Sequence, residues 1–262
     1  MRILLSNDDG IEAPGLSALR EVVEGMGDIV VVAPETPQSA AGHSITLKEP
    51  LSVRQTALCG GRHPAMSVDG RPADCVRLAI RKLLDRPPDL VLSGINAGAN
   101  VGVNVFYSGT VAAAAEAAML GIPAVAFSKV ANGPGVDDFR LAARLARWVL
   151  DQLSEEGLIA GDLINVNLPD PSSGPIRGVR VVPQSTAGIE DIYHAHPSRD
   201  GRESYRLGDD YAFIGSEENT DVVCLHEGYI TITPLHVDMT NHDRLAAMAH
   251  RHWPEPPNGT SG

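Results

Sequence analysis

The chain is poor in cysteine and has no long apolar run. Its three cysteines, Cys59, Cys75 and Cys224, form no C-x-x-C pair, and this odd number in unrelated contexts fits a reducing cytoplasm best. No stretch of about 18 apolar residues is available to span a bilayer. The first residues lack the apolar core of a signal peptide. We therefore expect a cytoplasmic protein that is not inserted in a membrane.

Positive charge is also scarce. Lys and Arg number 21 against 33 Asp and Glu, which gives a net charge of −12. This charge repels phosphate backbones and anionic lipid at long range, so duplex nucleic acid is an unfavourable partner. Apolar residues make up 43% of the 262 residues, enough for a sizeable core. The length suits one large α/β domain with an appendage.

Several familiar phosphate-handling motifs are missing. No G-x-G-x-x-G follows the first predicted strand and no G-x-x-x-x-G-K-[ST] occurs, which argues against a dinucleotide fold and a P-loop NTPase. An Asp pair on the first strand, with Lys129 after a later strand, is typical of receiver domains. Those domains need an acceptor Asp where this chain has residues 93–96, SGIN. The haloacid-dehalogenase pattern needs Asp-x-Asp, whereas the two carboxylates here are adjacent.

Apolar runs alternate with helical periodicity over residues 1 to 185. The runs at 2–6 and 28–33 flank a helical pattern over 16–26, which predicts a βαβ unit. The strands are continuously apolar, as in a parallel sheet covered on both faces. We predict a Rossmann-like, doubly wound α/β domain with a mostly parallel sheet. The series continues with an antiparallel interlude over 45–68, helices over 72–84, 110–120 and 138–153, and strands over 89–93, 123–128 and 163–168.

From residue 186 the pattern changes. Residues 188–215 are polar with scattered tyrosines, 221–225 and 228–234 read as short strands, and 240–250 as a final helix. We predict a C-terminal antiparallel β-hairpin arm with a terminal helix over 186–252, and a flexible tail over 253–262. The arm has too little apolar sequence for its own core. We therefore expect it to pack on a twin subunit, in a homodimer or homotetramer, rather than fold back on its own domain.

Polar side chains follow the strands of the predicted sheet where ligands of open α/β sheets bind. Asp8 and Asp9 end the first strand, Ser39 follows the second, and Asn96 follows the 89–93 strand. Two adjacent carboxylates repel each other, and a divalent cation would remove that cost. Oxygen ligands of this kind suit one Mg²⁺ or Mn²⁺ ion. The alternative is that Asp-Asp-Gly forms an ordinary turn and helix cap.

A second candidate site lies at the start of the 110–120 helix. Ser108, Gly109 and Thr110 place two hydroxyls and a glycine where free backbone N–H groups and the helix dipole favour a phosphate-like anion. Ser and Thr are also common N-caps, so capping alone is the other interpretation. Of the nine histidines, His43 is the one to consider as a ligand, because it lies in the loop after the second strand.

Six motifs follow one another in order between residue 3 and about residue 240. Each is modest alone, but together and in register they closely resemble the SurE family of stationary-phase survival proteins. The motifs are SNDDG at 6–10, the segment from AP at 33–34 through QS at 38–39 to GHSIT at 42–46, SVDGRPADC at 67–75, LSGINAGAN at 92–100, YSGT at 107–110 and YITITPLH at 229–236.

This resemblance implies a metal-dependent phosphatase of nucleoside 5′- or 3′-monophosphates, with a Rossmann-like core and an arm exchanged between subunits. Asp8 and Asp9 would be catalytic, with Asp9 accepting a proton from attacking water, although direct attack by Asp8 stays open. The alternative function is a non-catalytic, cation-dependent nucleotide sensor. By motif, the metal ligands would be Asp8, Asp9, Ser39 and Asn96, and the phosphate binders Ser39, Asn96, Ser108, Gly109 and Thr110.

Overall fold

The computed structural model describes residues 1–58, 61–131, 139–190, 192–197, 202–208 and 212–253. The helices are α1 (Pro14–Val22), α2 (Pro72–Leu78), α3 (Gly109–Met119), α4 (Phe139–Glu156), α5 (Asp221–His226) and α6 (His242–Ala249). The strands are β1 (Arg2–Ser6), β2 (Asp28–Pro34), β3 (Val53–Leu58), β4 (His63–Val68), β5 (Leu90–Ala97), β6 (Ala124–Lys129), β7 (Leu163–Leu168), β8 (Val179–Val181), β9 (Gly188–Glu190), β10 (Tyr193–His196), β11 (Ser204–Leu207), β12 (Ala212–Ile214) and β13 (Ile230–Leu235).

A nine-stranded sheet in the order β3-β4-β2-β1-β5-β6-β7-β13-β8 forms the centre of the fold. Its middle six strands, from β4 to β7, are parallel. The edge strand β3 is antiparallel to β4, and β13 is antiparallel to β7. The predicted α/β class, the mostly parallel sheet and the antiparallel interlude are therefore confirmed.

Helices cover both faces of this sheet, as the continuously apolar strands predict. One apolar cluster joins one sheet face to α1 and α4, and a second joins the opposite face to α2 and α3. The alanine-rich α3 is buried along ten of its eleven residues, because small side chains let a helix approach both the sheet and a neighbouring helix closely. This packing fixes the position of the α3 N-terminus over the carboxyl ends of the strands.

Two predicted elements differ from the structure. The 72–84 helix is α2 followed by a π-helical turn over Ala79–Leu83. The predicted strand at 221–225 is wrong, because these residues form α5. Short apolar runs cannot be assigned by periodicity alone. Here Asp221 decides the outcome, since its buried carboxylate accepts backbone N–H groups of Gly102 and Ser185 and anchors the start of a helix.

The region predicted as a C-terminal arm has two different parts. The strand β10 pairs with β11, and β12 with β9, in two small antiparallel sheets separate from the main one. The strand β13 instead returns to the main sheet between β7 and β8. Residues 236–253, which include α6, are exposed. The tail from residue 254 and Cys59 lie outside the described residues, and the boundary at residue 185 stays a prediction.

Two thiols, those of Cys75 and Cys224, are buried and free. Within the described ranges, no helix combines the length and the apolar composition needed to cross a membrane.

Candidate active site

The segments that carry the predicted ligands meet at the carboxyl ends of neighbouring parallel strands. In the pairing of β1 with β5, Ser6 lies opposite Ser93. Asp8 follows β1 by two residues, and Asn96 lies three residues beyond Ser93, near the end of β5. The backbone N–H of Gln38 donates a 2.8 Å hydrogen bond to the carbonyl oxygen of Asp8. The Ser39 loop therefore lies against the end of β1, as expected for the carboxyl ends of parallel strands.

Asp8 is a buried carboxylate held by the first turn of α3. Its residue is 7% exposed, and its Oδ1 accepts a 2.5 Å hydrogen bond from the hydroxyl of Thr110. Burial raises the pKa of Asp8 above its ordinary value. The Thr110 hydroxyl and the backbone N–H groups of Gly109 and Thr110 oppose that rise by stabilising the charged form. The helix start thus binds an anion that belongs to the protein itself.

Gly109 lets the helix approach Asp8 this closely. A Cβ atom built at Gly109 would lie 2.6 Å from Cβ of Asp8 and 2.9 Å from its Oδ2. Such distances are shorter than van der Waals contact, so a larger residue would displace the carboxylate. The need for glycine here is steric and comes from the site.

The two hydroxyls of the predicted phosphate turn have different partners. The Ser108 Oγ accepts a 3.1 Å hydrogen bond from the N–H of Val111 and so caps α3. The Thr110 hydroxyl donates to Asp8. Ser108 therefore caps the helix while keeping a hydroxyl proton that can be donated elsewhere. The structure links Thr110 to the carboxylate site, a connection that the sequence motif did not indicate.

The other predicted ligands are more open to solvent. Asp9 is half-buried, and Ser39 is exposed in a turn. The side-chain amide of Asn96 donates a 2.7 Å hydrogen bond to the carbonyl of Gly98, so its Oδ1 is the atom with which it can ligate a cation. Within the described ranges, no group of three or more His, Cys, Asp or Glu residues is placed to hold a metal. A cation here would need the hydroxyl and amide oxygens.

The loop that follows β5 rests on a buried polar network. The Asn100 N–H donates to Oδ1 of Asn167 at 2.8 Å, and its side-chain amide donates to Ser128 Oγ at 2.7 Å. The carbonyl of Asn100 accepts from the side chain of Asn165 at 2.7 Å. Asn100 stands in the 92–100 motif, but Asn165 and Asn167 were not singled out from the sequence. Two polar Asn within the otherwise apolar strand at 163–168 are nevertheless a visible signal, since buried amides need partners.

His43, from the β2 loop, reaches a buried carboxylate on α3. Its Nε2 lies 2.9 Å from Oε2 of Glu116, and Nε of Arg77 lies 2.7 Å from Oε1. Glu116 is 1% exposed, whereas the His43 side chain is 34% exposed. Burial alone would raise the pKa of Glu116, but the His43 hydrogen bond and the Arg77 charge hold it below its ordinary value. Glu116 was not singled out from the sequence, where it is one acidic residue within an alanine run.

Comparison with known proteins identifies the family. The model described as Survival protein SurE matches residues 3–191. A Syntrophotalea carbinolica protein named 5′-nucleotidase SurE is 42% identical over 241 residues, covering 92% of this chain and 93% of the relative. A Thermus thermophilus protein named 5′-nucleotidase SurE 1 is 45% identical over 250 residues, covering 95% and 97%.

A solved structure gives the same result. The crystal structure of the SurE protein from Aquifex aeolicus matches with a TM-score of 0.79 and 36% identity, covering 95% of this chain and 99% of that one. The resemblance carried by the six sequence motifs is therefore confirmed over most of the chain. This chain belongs to the SurE family.

Proposed function

We propose that the chain hydrolyses nucleoside 5′- or 3′-monophosphates in a reaction that depends on a divalent cation. The observation that carries this proposal is the buried carboxylate of Asp8, held against the α3 start beside the acidic Asp9. A buried anion next to a second carboxylate calls for positive charge. The names of the SurE relatives, 5′-nucleotidase SurE, support the choice of substrate.

The donor set fits one hard divalent cation. Asp8 and Asp9 offer carboxylate oxygens, Asn96 an amide oxygen and Ser39 a hydroxyl, and these are the ligands that Mg²⁺ and Mn²⁺ accept. When bound, the cation would supply Lewis-acid polarisation of a phosphoryl oxygen and a more acidic water. The burial that raises the pKa of Asp8 fits this arrangement, because a cation lowers the energy of the ionised carboxylate.

Other steps of the reaction, proton transfer and phosphate binding, would be carried out by side chains and backbone groups of the chain. Asp9, half-buried and next to Asp8, would accept the proton of the water that attacks phosphorus. Ser108, with a hydroxyl proton to donate, would bind a phosphate oxygen at the helix start. The N–H groups of Gly109 and Thr110 already stabilise the Asp8 carboxylate, so these two residues would favour the phosphate through the helix dipole. Ser39 and Asn96 would border the same phosphate. Attack by Asp8 itself would leave a phosphorylated aspartate that a quenched reaction can trap.

We also propose that the protein is a homodimer or homotetramer joined through its C-terminal segment. Residues 236–253 are exposed throughout, and they include Met239, Leu245 and Trp253, with 79%, 54% and 53% exposure. Apolar side chains that are this exposed within one subunit favour burial on another copy.

Phosphate release from a panel of 5′- and 3′-mononucleotides tests the proposed reaction. We expect release with Mg²⁺ or Mn²⁺, none in EDTA, and recovery on adding the cation back. Tight nucleotide binding with metal but no release from any member of the panel would identify a sensor instead. Recovery of phosphate release by Zn²⁺ alone would contradict a cation site made of oxygen ligands. His43 would then be the first candidate for a nitrogen ligand.

A further inference from the structure

A groove runs along α3 from the predicted phosphate turn. Its volume is about 510 Å³, within the range of about 300–1,000 Å³ typical of small-molecule sites. Ser108 lines it at the helix start, Ala112 and Ala115 line it further along, and Met119 lines it at the helix end. His43 also lines the groove. The groove is thus largely apolar and is continuous with the residues proposed to bind phosphate.

The ring of His43 is fixed in place at this groove. Its Nε2 bonds Glu116, whose other oxygen lies beside Arg77. In addition, the N–H of Gly42 donates a 3.0 Å hydrogen bond to the carbonyl of Tyr107. This bond ties the His43 loop to the residue that precedes Ser108. A side chain that is held by a buried carboxylate and carried on a tethered loop is suited to selecting a ligand, since little conformational freedom is lost on binding.

The partner of His43 determines what its other ring nitrogen can do. Because the pKa of Glu116 is held below its ordinary value, its carboxylate is ionised and can only accept hydrogen bonds. The Nε2 atom must therefore carry the proton, and in the neutral ring Nδ1 is an acceptor. Since His43 lines the groove, the neutral ring would offer this acceptor to a flat ligand ring that has N–H or NH₂ groups on its edge.

The groove extends well past the phosphate turn. Met119 lies ten residues beyond Gly109, which at 1.5 Å per residue is about 15 Å along the helix. The His43 loop is tied to Tyr107 at the helix start, while the His43 ring contacts Glu116 further along α3. The ring therefore lies between the phosphate turn and the far part of the groove, where the end of the substrate remote from phosphate would lie.

We propose that this groove binds the nucleobase of the substrate and that His43 contacts the edge of the base as a specificity-determining residue. The inference rests on the proposed nucleotidase function and deepens it. Glu116 and Arg77 are positioning residues that act through His43. The groove then discriminates between a nucleotide and a sugar phosphate, whereas the strand-end site treats both as phosphate monoesters.

The experiment measures how fast each variant hydrolyses two substrates: a nucleoside 5′-monophosphate, and ribose 5-phosphate, which lacks the base. For His43→Ala we expect kcat/KM for the nucleotide to fall about 2- to 10-fold, mainly through KM, as the loss of one hydrogen bond implies. The value for ribose 5-phosphate should stay unchanged. His63→Ala, which alters a half-buried histidine outside the groove, is the matched control and should change neither.

A second variant covers the case in which His43→Ala fails to fold because Glu116 loses a partner. Ala115→Leu narrows the groove and leaves the His43–Glu116 contact in place, and it should also impair the nucleotide selectively. Equal losses on both substrates, or no loss on either, would overturn the assignment while leaving the nucleotidase function intact. A changed sedimentation coefficient without a changed substrate ratio would mean that a second copy covers the groove, which also overturns it. Wild-type protein inactive on every nucleotide would instead refute the proposed function.

Discussion

The hydroxyl of Thr110 donates a 2.5 Å hydrogen bond to Oδ1 of Asp8, joining the first turn of α3 to the end of β1. The two residues are 102 positions apart in sequence. Because of this bond, the helix start that is proposed to bind phosphate also supports the carboxylate site. Both proposed halves of the site therefore depend on the same turn, and substitutions in this turn are the most direct tests.

Replacing Thr110 with Val removes the hydroxyl and keeps the shape. We expect a 10- to 100-fold loss of cation affinity or turnover, about the size seen when a group supporting a metal ligand is removed. Thr110→Ser keeps the hydroxyl and should retain most of the activity. Titration of activity with Mn²⁺ measures both variants. Equal activity of the Thr110→Val and Thr110→Ser variants would show that the hydrogen bond to Asp8 does not support catalysis.

Gly109→Ala should abolish activity while the protein stays folded. The new Cβ would lie 2.6 Å from the Asp8 side chain, so Asp8 must move away from the α3 start. Gly188→Ala is the control, since a Cβ there meets no atom within 4 Å. Circular dichroism checks the fold and phosphate release checks the activity. Full activity in Gly109→Ala would contradict the close approach of the helix and Asp8.

Asp8→Asn should lose activity yet keep or gain stability in chelator at pH 7. Burial raises the pKa of Asp8, so its contribution to stability is present below the unfolded pKa of about 3.8 and is lost as pH rises through the folded pKa. Asparagine avoids that loss. We expect a Tm higher by up to about 4 °C, the shift that about 1 kcal/mol produces in a chain of this size.

This stability difference should shrink as the pH falls, because protonated Asp8 and asparagine are both neutral. Scanning calorimetry across pH gives the comparison. Asp85→Asn is the control, because that exposed carboxylate pairs with Arg2 at the opposite end of β1. A folded, fully active Asp8→Asn protein would remove Asp8 from the proposed site.

Leu245→Glu combined with Met248→Glu should dissociate the oligomer without unfolding the subunit. Both side chains are exposed within one chain, so a charge there costs the isolated subunit little. In an interface the same charges would be buried unpaired, at a large cost. Sedimentation velocity distinguishes the oligomer from the monomer. The control is Ile159→Glu, which changes another exposed apolar residue. A wild-type monomer would contradict the proposed assembly.

The core of the fold and the family follow from the sequence. Continuous apolar runs and helical periodicity predict the parallel strands and α1, α3 and α4, because local chain geometry and burial set these patterns. The prediction of a strand at 221–225 is wrong because a run of five residues is compatible with a strand or a helix. The contacts that Asp221 makes with Gly102 and Ser185 decide for the helix. Those partners lie 119 and 36 residues away.

The candidate ligands could likewise be predicted from the sequence, since strand ends and helix starts are local features. Their partners could not. Whether Thr110 binds phosphate or supports Asp8, and whether Glu116 meets His43 and Arg77, depends on how α3 packs over β1 and against α2. The motifs specify which chemical groups stand at the edge of the sheet. Only tertiary packing decides which of these groups touch, because hydrogen bonds between residues distant in sequence leave no periodic pattern along the chain.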